Sequence, residues 1–242
     1  MKKGTKALLA ACGLGAAGYA ACRSRKPKDA SSIWNFYAPV YDTFMKMDRA
    51  MYEEMYRRIR AAIRGRRTLE LCTGTGLIAK HVASAASELV ATDFAEKMLA
   101  EARKGERPAN LTFERADATA LPYEDDSFDA VIISNALHII PTPEQALAEI
   151  RRVLRPGGVL IAPNFVHREG DLQTGVWAKL LTAAGVVFAT AWDADGYVAF
   201  LERGGWRVRD KAVLEAKIPL VYAECEAAEQ SGAAGGEERT EE

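Results

Sequence analysis

Cysteine is scarce and scattered. The chain has four among 242 residues, at 12, 22, 72 and 225, and none forms a Cys-x-x-Cys pair. No zinc site is expected from that spacing. Nothing in it resembles a disulfide framework either, and a reducing, cytoplasmic compartment is the simpler reading. Net charge is nearly absent at −1, so no global field favours nucleic acid as a partner. Long apolar runs are missing too. The longest uncharged stretch, Ala7 to Cys22, falls short of the roughly 20 residues a spanning helix needs and is mostly Ala and Gly. No internal repeat is visible.

What is present is ordinary globular composition, 49% apolar and 27% charged, in a length that suits one α/β domain. Charge is distributed unevenly. Residues 1–28 carry Lys2, Lys3, Lys6, Arg23, Arg25, Lys26 and Lys28 and no acid. With basic residues on both sides of residues 7–22, three readings stand open: a short membrane anchor, a secretory signal, or a poorly ordered leader. Leu9-Ala10-Ala11-Cys12 resembles a lipoprotein cleavage site, yet only eleven residues precede that cysteine. The symmetric charges give no orientation. At the other end, residues 227–242 are acidic and rich in Ala, Gly and Ser, which predicts a disordered tail.

Between these ends the pattern has three parts. Residues 29–66 begin with the aromatics Trp34, Phe36, Tyr37 and Tyr41. Met47, Met51, Met55, Ile59 and Ile63 then recur every four residues, the mark of one helical face packed on a core. From Thr68, short apolar runs alternate with helical segments. Strands are expected at Thr68–Cys72, Glu88–Thr92, Leu111–Arg115, Ala130–Ser134 and Val159–Pro163. Helices are expected at Leu77–Ala86, Ala95–Arg103 and Pro143–Leu154, the last opened by a capping box of Thr142 and Gln145. Such alternation predicts a parallel sheet covered on both faces. Two further helices, Leu172–Ala184 and Asp195–Arg203, precede Gly204-Gly205. The strands Trp206–Leu214 and Ile218–Glu226 then read as an antiparallel hairpin. One domain is expected over residues 67–226.

The chemistry starts where a strand runs into Cys72-Thr73-Gly74-Thr75-Gly76 and a helix follows. Glycines here let a ligand approach the backbone, and the helix start adds unpaired N–H groups. Gly74, Gly76 and Ala79 also satisfy the dinucleotide fingerprint, and Asp93 ends the next strand where an acid can hold ribose hydroxyls. A nicotinamide-dependent oxidoreductase therefore competes at this point, as does a plain tight turn with a surface aspartate.

Five stretches taken in order resolve the pattern further: 69–76 (LELCTGTG), 91–99 (ATDFAEKML), 116–129 (ADATALPYEDDSFD), 134–138 (SNALH) and 152–160 (RVLRPGGVL). Together they resemble the class I S-adenosylmethionine-dependent methyltransferases, most closely the ubiquinone and menaquinone C-methyltransferase branch, over roughly Tyr37 to Glu215. The resemblance implies an α/β fold, a doubly wound and mostly parallel seven-stranded sheet of Rossmann-like type with an antiparallel C-terminal hairpin. It also implies S-adenosylmethionine as cofactor. On that resemblance Glu70, Cys72, Thr73, Gly74 and Gly76 would face its methionine part, and Asp93 the ribose hydroxyls. Phe94 would lie against the adenine, with Met98 in the same pocket. Asp117 and the Ala118 N–H would reach the adenine edge. Asn135 would end the fourth strand near the methionine moiety, and Tyr37 and Tyr41 would belong to a lid. Cys72 departs from the family, where glycine is usual.

The physical logic agrees with that assignment. S-adenosylmethionine carries a sulfonium and an ammonium beside a carboxylate, and an acid at Glu70 suits the cationic end. A methyl transfer is an in-line displacement, for which positioning can supply on the order of 7–11 kcal/mol. Neither a metal nor a covalent nucleophile is required. Of three histidines, His138 follows the fourth strand at the ligand end of such a sheet and is the candidate base. His81 reads as structural, and His167 as a possible pocket residue. The stretch 37–42 (YAPVYD) resembles the opening of quinone and phosphatidylethanolamine methyltransferases, so a lipid-like acceptor stands beside a soluble small molecule. A protein that binds S-adenosylmethionine without catalysis also remains open.

Overall fold

The computed structural model describes Trp34 and residues 48–167, 189–216 and 218–228. The leader, Tyr37 and Tyr41, the expected helix Leu172–Ala184 and the acidic tail beyond residue 228 lie outside the described residues.

The strands are β1 Arg67–Leu71, β2 Glu88–Asp93, β3 Leu111–Arg115, β4 Phe128–Ile133, β5 Leu154–Ile161, β6 Asn164–Phe165, β7 Trp206–Leu214 and β8 Leu220–Ala227. The helices are α1 Arg49–Ala62, α2 Leu77–Val82, α3 Glu96–Ala102, α4 Pro143–Val153 and α5 Ala194–Arg203. β3, β2, β1, β4 and β5 lie side by side and parallel. β8 follows antiparallel to β5, with β7 antiparallel along its far side. Each element expected from the sequence within the described residues is present, with ends shifted by a few residues.

Parallel strands covered on both faces should read as continuous apolar runs, and here they do. Along β4, Val131 and Ile133 face one core, shared with Leu147 and Ile150 of α4 and Tyr197 and Leu201 of α5. Ala130 and Ile132 face the other, shared with α1, α2 and α3. The methionine–isoleucine stripe is the inner side of α1: Met55 and Ile59, with Ile63 just past its end, are wholly buried. Burial of each such side chain contributes about 1.5–3 kcal/mol.

Three expectations need correction. Among the described residues the sheet has eight strands, not seven. Proline at 163 has no N–H to donate, so the ladder breaks and β6 is a separate element, although β5 and β6 keep one register against β8. The Thr142 capping box does not form. Its hydroxyl sits 3.3 Å from Gln145 Oε1, and the turn is closed instead by the Gln145 N–H donating to the Thr142 carbonyl at 3.1 Å. Helix α2 stops at Val82 and tightens into a 3-10 turn over Ala83–Ala85.

The strand order reverses between β1 and β4. In an open α/β sheet that reversal opens a crevice at the carboxyl ends of those strands. Among the described residues no helix is long and apolar enough to cross a membrane.

Candidate functional site

The loop after β1 is made of left-handed backbone. Cys72, Gly74 and Gly76 have φ of 55°, 59° and 74°. Thr73 N–H donates to the Thr92 carbonyl at 2.8 Å, and Gly76 N–H to the Thr73 carbonyl at 3.0 Å, so the turn is braced against β2. Gly76 is required twice over. Its φ disfavours a side chain, and a Cβ there would stand 2.8 Å from the Phe113 ring and 3.2 Å from the Ala102 methyl.

Asp93 straps two loops together. Its Oδ2 accepts from Gly74 N–H and its Oδ1 from Ala95 N–H, both at 2.8 Å. Each carboxylate oxygen can accept more than one bond, so room for hydroxyl donors remains. Burial nevertheless pushes its carboxyl above the usual range.

Glu70 is 1% exposed, and among the described residues its Oε2 has no hydrogen-bond partner. The nearby Thr73 hydroxyl is likewise buried. Burial pushes the Glu70 carboxyl up to about 8, with the Thr73 hydroxyl pulling the other way and the Asp93 charge adding to the rise. A buried carboxyl with a vacant acceptor is costly unless a cation or donor completes it. The ammonium and sulfonium of S-adenosylmethionine have the charge that fits. The Cys72 thiol is pushed far above its usual range by burial and then by Asp93, Asp117 and Glu70, and stays neutral.

An open cleft adjoins this loop, lined by Phe94, Arg115, Ala116, Asp117, Ala120 and Pro122. Phe94 is 40% exposed, and the Arg115 guanidinium lies 5.3 Å from its ring centre. Arg115 Nε also donates to the Phe94 carbonyl at 3.3 Å. Asp117 Oδ1 accepts from the N–H and the hydroxyl of Thr119 at 2.9 and 2.7 Å, which fixes the carboxylate at the rim. Ala118 is buried behind it. Arg115 was missed by sequence reading. Its signal is the parallel register, which pairs it with Asp93 and so places it beside Phe94. Met98 is buried with Ala95 against Trp34, away from solvent.

The loop after β4 is built differently. Asn135 has φ of 51°, its N–H donates to the Pro163 carbonyl at 2.8 Å, and its Oδ1 accepts from Phe165 N–H at 3.0 Å. It latches β4 to β6. His138 is buried, with Nδ1 2.9 Å from Asn164 Oδ1. Asn164 was also missed, for nothing in its local sequence marks it. His81 has Nδ1 2.7 Å from the Leu77 carbonyl and stacks on Tyr56 at 4.5 Å, the structural role expected of it. His167 N–H donates to the Trp192 carbonyl. Tyr41 lies outside the described residues. Among the described residues no three metal-ligating side chains come together.

A doubly wound sheet with a braced glycine loop, an acid closing the second strand and an open cleft beside it defines the methyltransferase type of α/β domain. DhpI in its complex with SAH has the same fold, with a TM-score of 0.63 at 22% identity, covering 83% of this chain and 96% of that one. A model of the methyltransferase domain matches residues 69–162. The demethylmenaquinone methyltransferase of Renibacterium salmoninarum is 37% identical over 147 residues, 59% of this chain and 61% of that protein. That of Paenarthrobacter aurescens is 33% identical over 184 residues, 74% of this chain and 72% of that one. The chain belongs to the class I methyltransferase family, in the branch that holds these relatives. It spans about three fifths of the Renibacterium protein's length. The nicotinamide-enzyme and non-catalytic alternatives find no support in these matches.

Proposed function

We propose that the chain moves a methyl group from S-adenosylmethionine to a small quinone-type acceptor, in the manner that the names of its relatives describe. The observation that carries the reading is Glu70, a fully buried carboxyl with a vacant oxygen at the mouth of a left-handed glycine loop. When bound, S-adenosylmethionine supplies a methyl carbon already activated by its positive sulfur.

The chain's own residues then bind and orient. Glu70 and the Thr73 hydroxyl receive the cationic methionine end, and the Gly74 loop leaves the backbone bare for close approach. Asp93, held by two backbone N–H groups, accepts the ribose hydroxyls. Phe94, flanked by Arg115, gives the adenine an apolar face, and Asp117 and the Ala118 N–H meet its edge. Asn135 lies near the methionine moiety through its place at the end of β4. Met98 supports the start of α3 beneath the pocket. Binding energy spent on this alignment lowers the barrier to transfer by proximity.

The test is thermal unfolding of the full chain with S-adenosylhomocysteine and, in parallel, with NAD. A ligand at 100 times its Kd stabilises by about 2.7 kcal/mol, and a raised midpoint is expected with S-adenosylhomocysteine alone. A shift with NAD alone would overturn the cofactor reading. Turnover with a demethylmenaquinol analogue then decides the acceptor. The expected membrane contact through residues 7–22 is tested separately, by asking whether deletion of residues 1–28 moves the protein from the membrane fraction to the soluble one.

A further inference from the structure

The described residues hold a second cleft, apart from the cofactor residues and unused by the methyl-transfer reading. It is lined by Arg57, Arg60, Ala61, Arg64, Ser84 and Ala85. Residues 57–67 (RRIRAAIRGRR) contain six arginines and neither an acid nor a lysine. A face that serves solubility alone intersperses both signs of charge. Here one sign, carried by one type of side chain, is concentrated.

Local geometry gathers three of these arginines. Arg57 and Arg60 stand on α1, and Arg64 lies two residues beyond its end. Their spacing keeps them on one side of the helical path. The facing wall is the 3-10 turn over Ala83–Ala85. Backbone bonds tie the two walls together. Gly65 N–H donates to the Ala85 carbonyl at 2.8 Å, and Ser87 N–H to the Arg66 carbonyl at 3.0 Å.

The cleft offers donors and positive charge. Arg57 gives Nε and Nη2 to the Glu54 carboxylate, both at 2.7 Å, and Arg60 gives Nη1 to the His81 carbonyl at 3.0 Å. A guanidinium has five N–H donors, so both are held in place with donors in reserve. Arg64 is exposed, and among the described residues it has neither a hydrogen bond nor an ion pair. The Ser84 hydroxyl adds a further donor, while the Ala85 carbonyl is already taken. Among the described residues no acid lines the cleft. With Glu54 set against Arg57, the charges of Arg60 and Arg64 stand uncompensated. At a spacing of four residues they repel until an anion joins them. Two charges presented as planar forks match a phosphoryl dianion, which a guanidinium grips through paired N–H groups where an ammonium acts only as a point charge.

β1 starts at Arg67 and β2 at Glu88, so this cleft sits at the amino ends of those strands. The crevice opens at their carboxyl ends. A ligand here binds alongside the cofactor, not in its place. We propose that the cleft is a phosphate-binding site, in which Arg60, Arg64 and the remaining edge of Arg57 hold one phosphoryl group at the end of the domain opposite the crevice. The site goes beyond the methyl-transfer reading and stands or falls separately from it. Its phosphoryl group belongs to a soluble phosphate ester or to a phospholipid headgroup, and the recognition chemistry is the same for both.

The test uses the full chain at mildly alkaline pH and fixed ionic strength. Inorganic phosphate and succinate, both dianions there, are compared by calorimetry and by thermal unfolding. Phosphate should bind and raise the midpoint where succinate does not, and its effect should add to that of S-adenosylhomocysteine. Arg64→Gln should weaken phosphate binding by about fivefold, the upper end for an exposed charge pair, and leave Kd for S-adenosylhomocysteine unchanged. Arg64→Lys keeps the charge without the fork and should fall between the two. Vesicles of phosphatidic acid in phosphatidylcholine, set against phosphatidylcholine alone, identify the source. Capture that Arg64→Gln removes assigns a lipid headgroup, and phosphate binding without such capture assigns a soluble ester. The proposal is overturned by no response to phosphate, an equal response to succinate, phosphate binding unchanged in Arg64→Gln, or displacement of S-adenosylhomocysteine by phosphate. A protein that binds phosphate through Arg64 but never S-adenosylhomocysteine overturns the cofactor reading instead.

Discussion

The two halves of the crevice solve different problems. After β1 and β2 the ligand surface is mostly backbone. Three left-handed residues fall within five positions, an aspartate ties two loops by their N–H groups, and among the described residues one glutamate oxygen is left without a partner. After β4 the surface is made of side chains that satisfy one another, asparagine to backbone and histidine to asparagine. The first half is built to be completed by a charged ligand. The second is closed by its own hydrogen bonds. A vacant buried acceptor marks where binding energy is gained, and a closed polar pair marks where orientation is set.

If the first half depends on bare backbone, its Gly76 should fail differently from a glycine outside it, Gly157 in β5. Gly76→Ala meets both a left-handed φ and the Phe113 ring. The two together should cost about 2–4 kcal/mol. Gly157→Ala has a comparable φ of 75° but open space around the new methyl, so it should cost only the backbone part, about 1 kcal/mol. Denaturant unfolding of both variants checks this. Equal losses would mean that the contact with Phe113 contributes nothing.

Glu70 sharpens the contrast through pH. In the folded protein without ligand its carboxyl sits at about 8, against an ordinary 4.5. Between those values the folded state keeps a proton that the unfolded chain has released. Raising the pH through that window therefore favours unfolding, by at most roughly 1.4 kcal/mol per pH unit. Glu70→Gln removes this dependence. The variant should match the wild type most closely at pH 5 and exceed it most at pH 8. Its affinity for S-adenosylhomocysteine should fall by roughly tenfold or more, as a bond to a charged group is lost. Parallel pH curves for the two proteins would refute the vacancy at Glu70.

How legible each half was follows from its construction. The cofactor half could be read directly, because glycine spacing and an acid at a strand end are local signals. Gly74, Gly76 and Asp93 stood out as a glycine loop and an acid at a strand end, whereas Glu70 was singled out through the resemblance that five stretches carry in order. The parallel strands were legible for the same reason, as apolar runs bounded by turns. Arg115 and Asn164 were not, because their partners lie 21 and 26 residues away and meet them only once strands are in register. The eighth strand was missed because Pro163 interrupts a ladder whose pairing continues on either side. The Thr142 capping box was overread, since its sequence pattern permits the side-chain bond without compelling it.

Cys72 gives the smallest expected effect and the finest test of the backbone-built half. It adopts φ of 55° where a side chain is disfavoured by roughly 1 kcal/mol, and its thiol packs partly against the core below. Cys72→Gly relieves the first, but gives up the packing and adds freedom to the unfolded chain, each worth a similar amount. Stability should therefore change by less than about 1 kcal/mol in either direction, with S-adenosylhomocysteine affinity unchanged. Cys72→Val keeps the packing but places a branched side chain in the left-handed region, so it should lose about 1–2 kcal/mol. If glycine proves the more damaging of the two, the thiol's packing governs this position and the backbone conformation follows from it. If valine does, the loop's left-handed path is the fixed element, and cysteine is the largest departure from glycine that it tolerates at little cost.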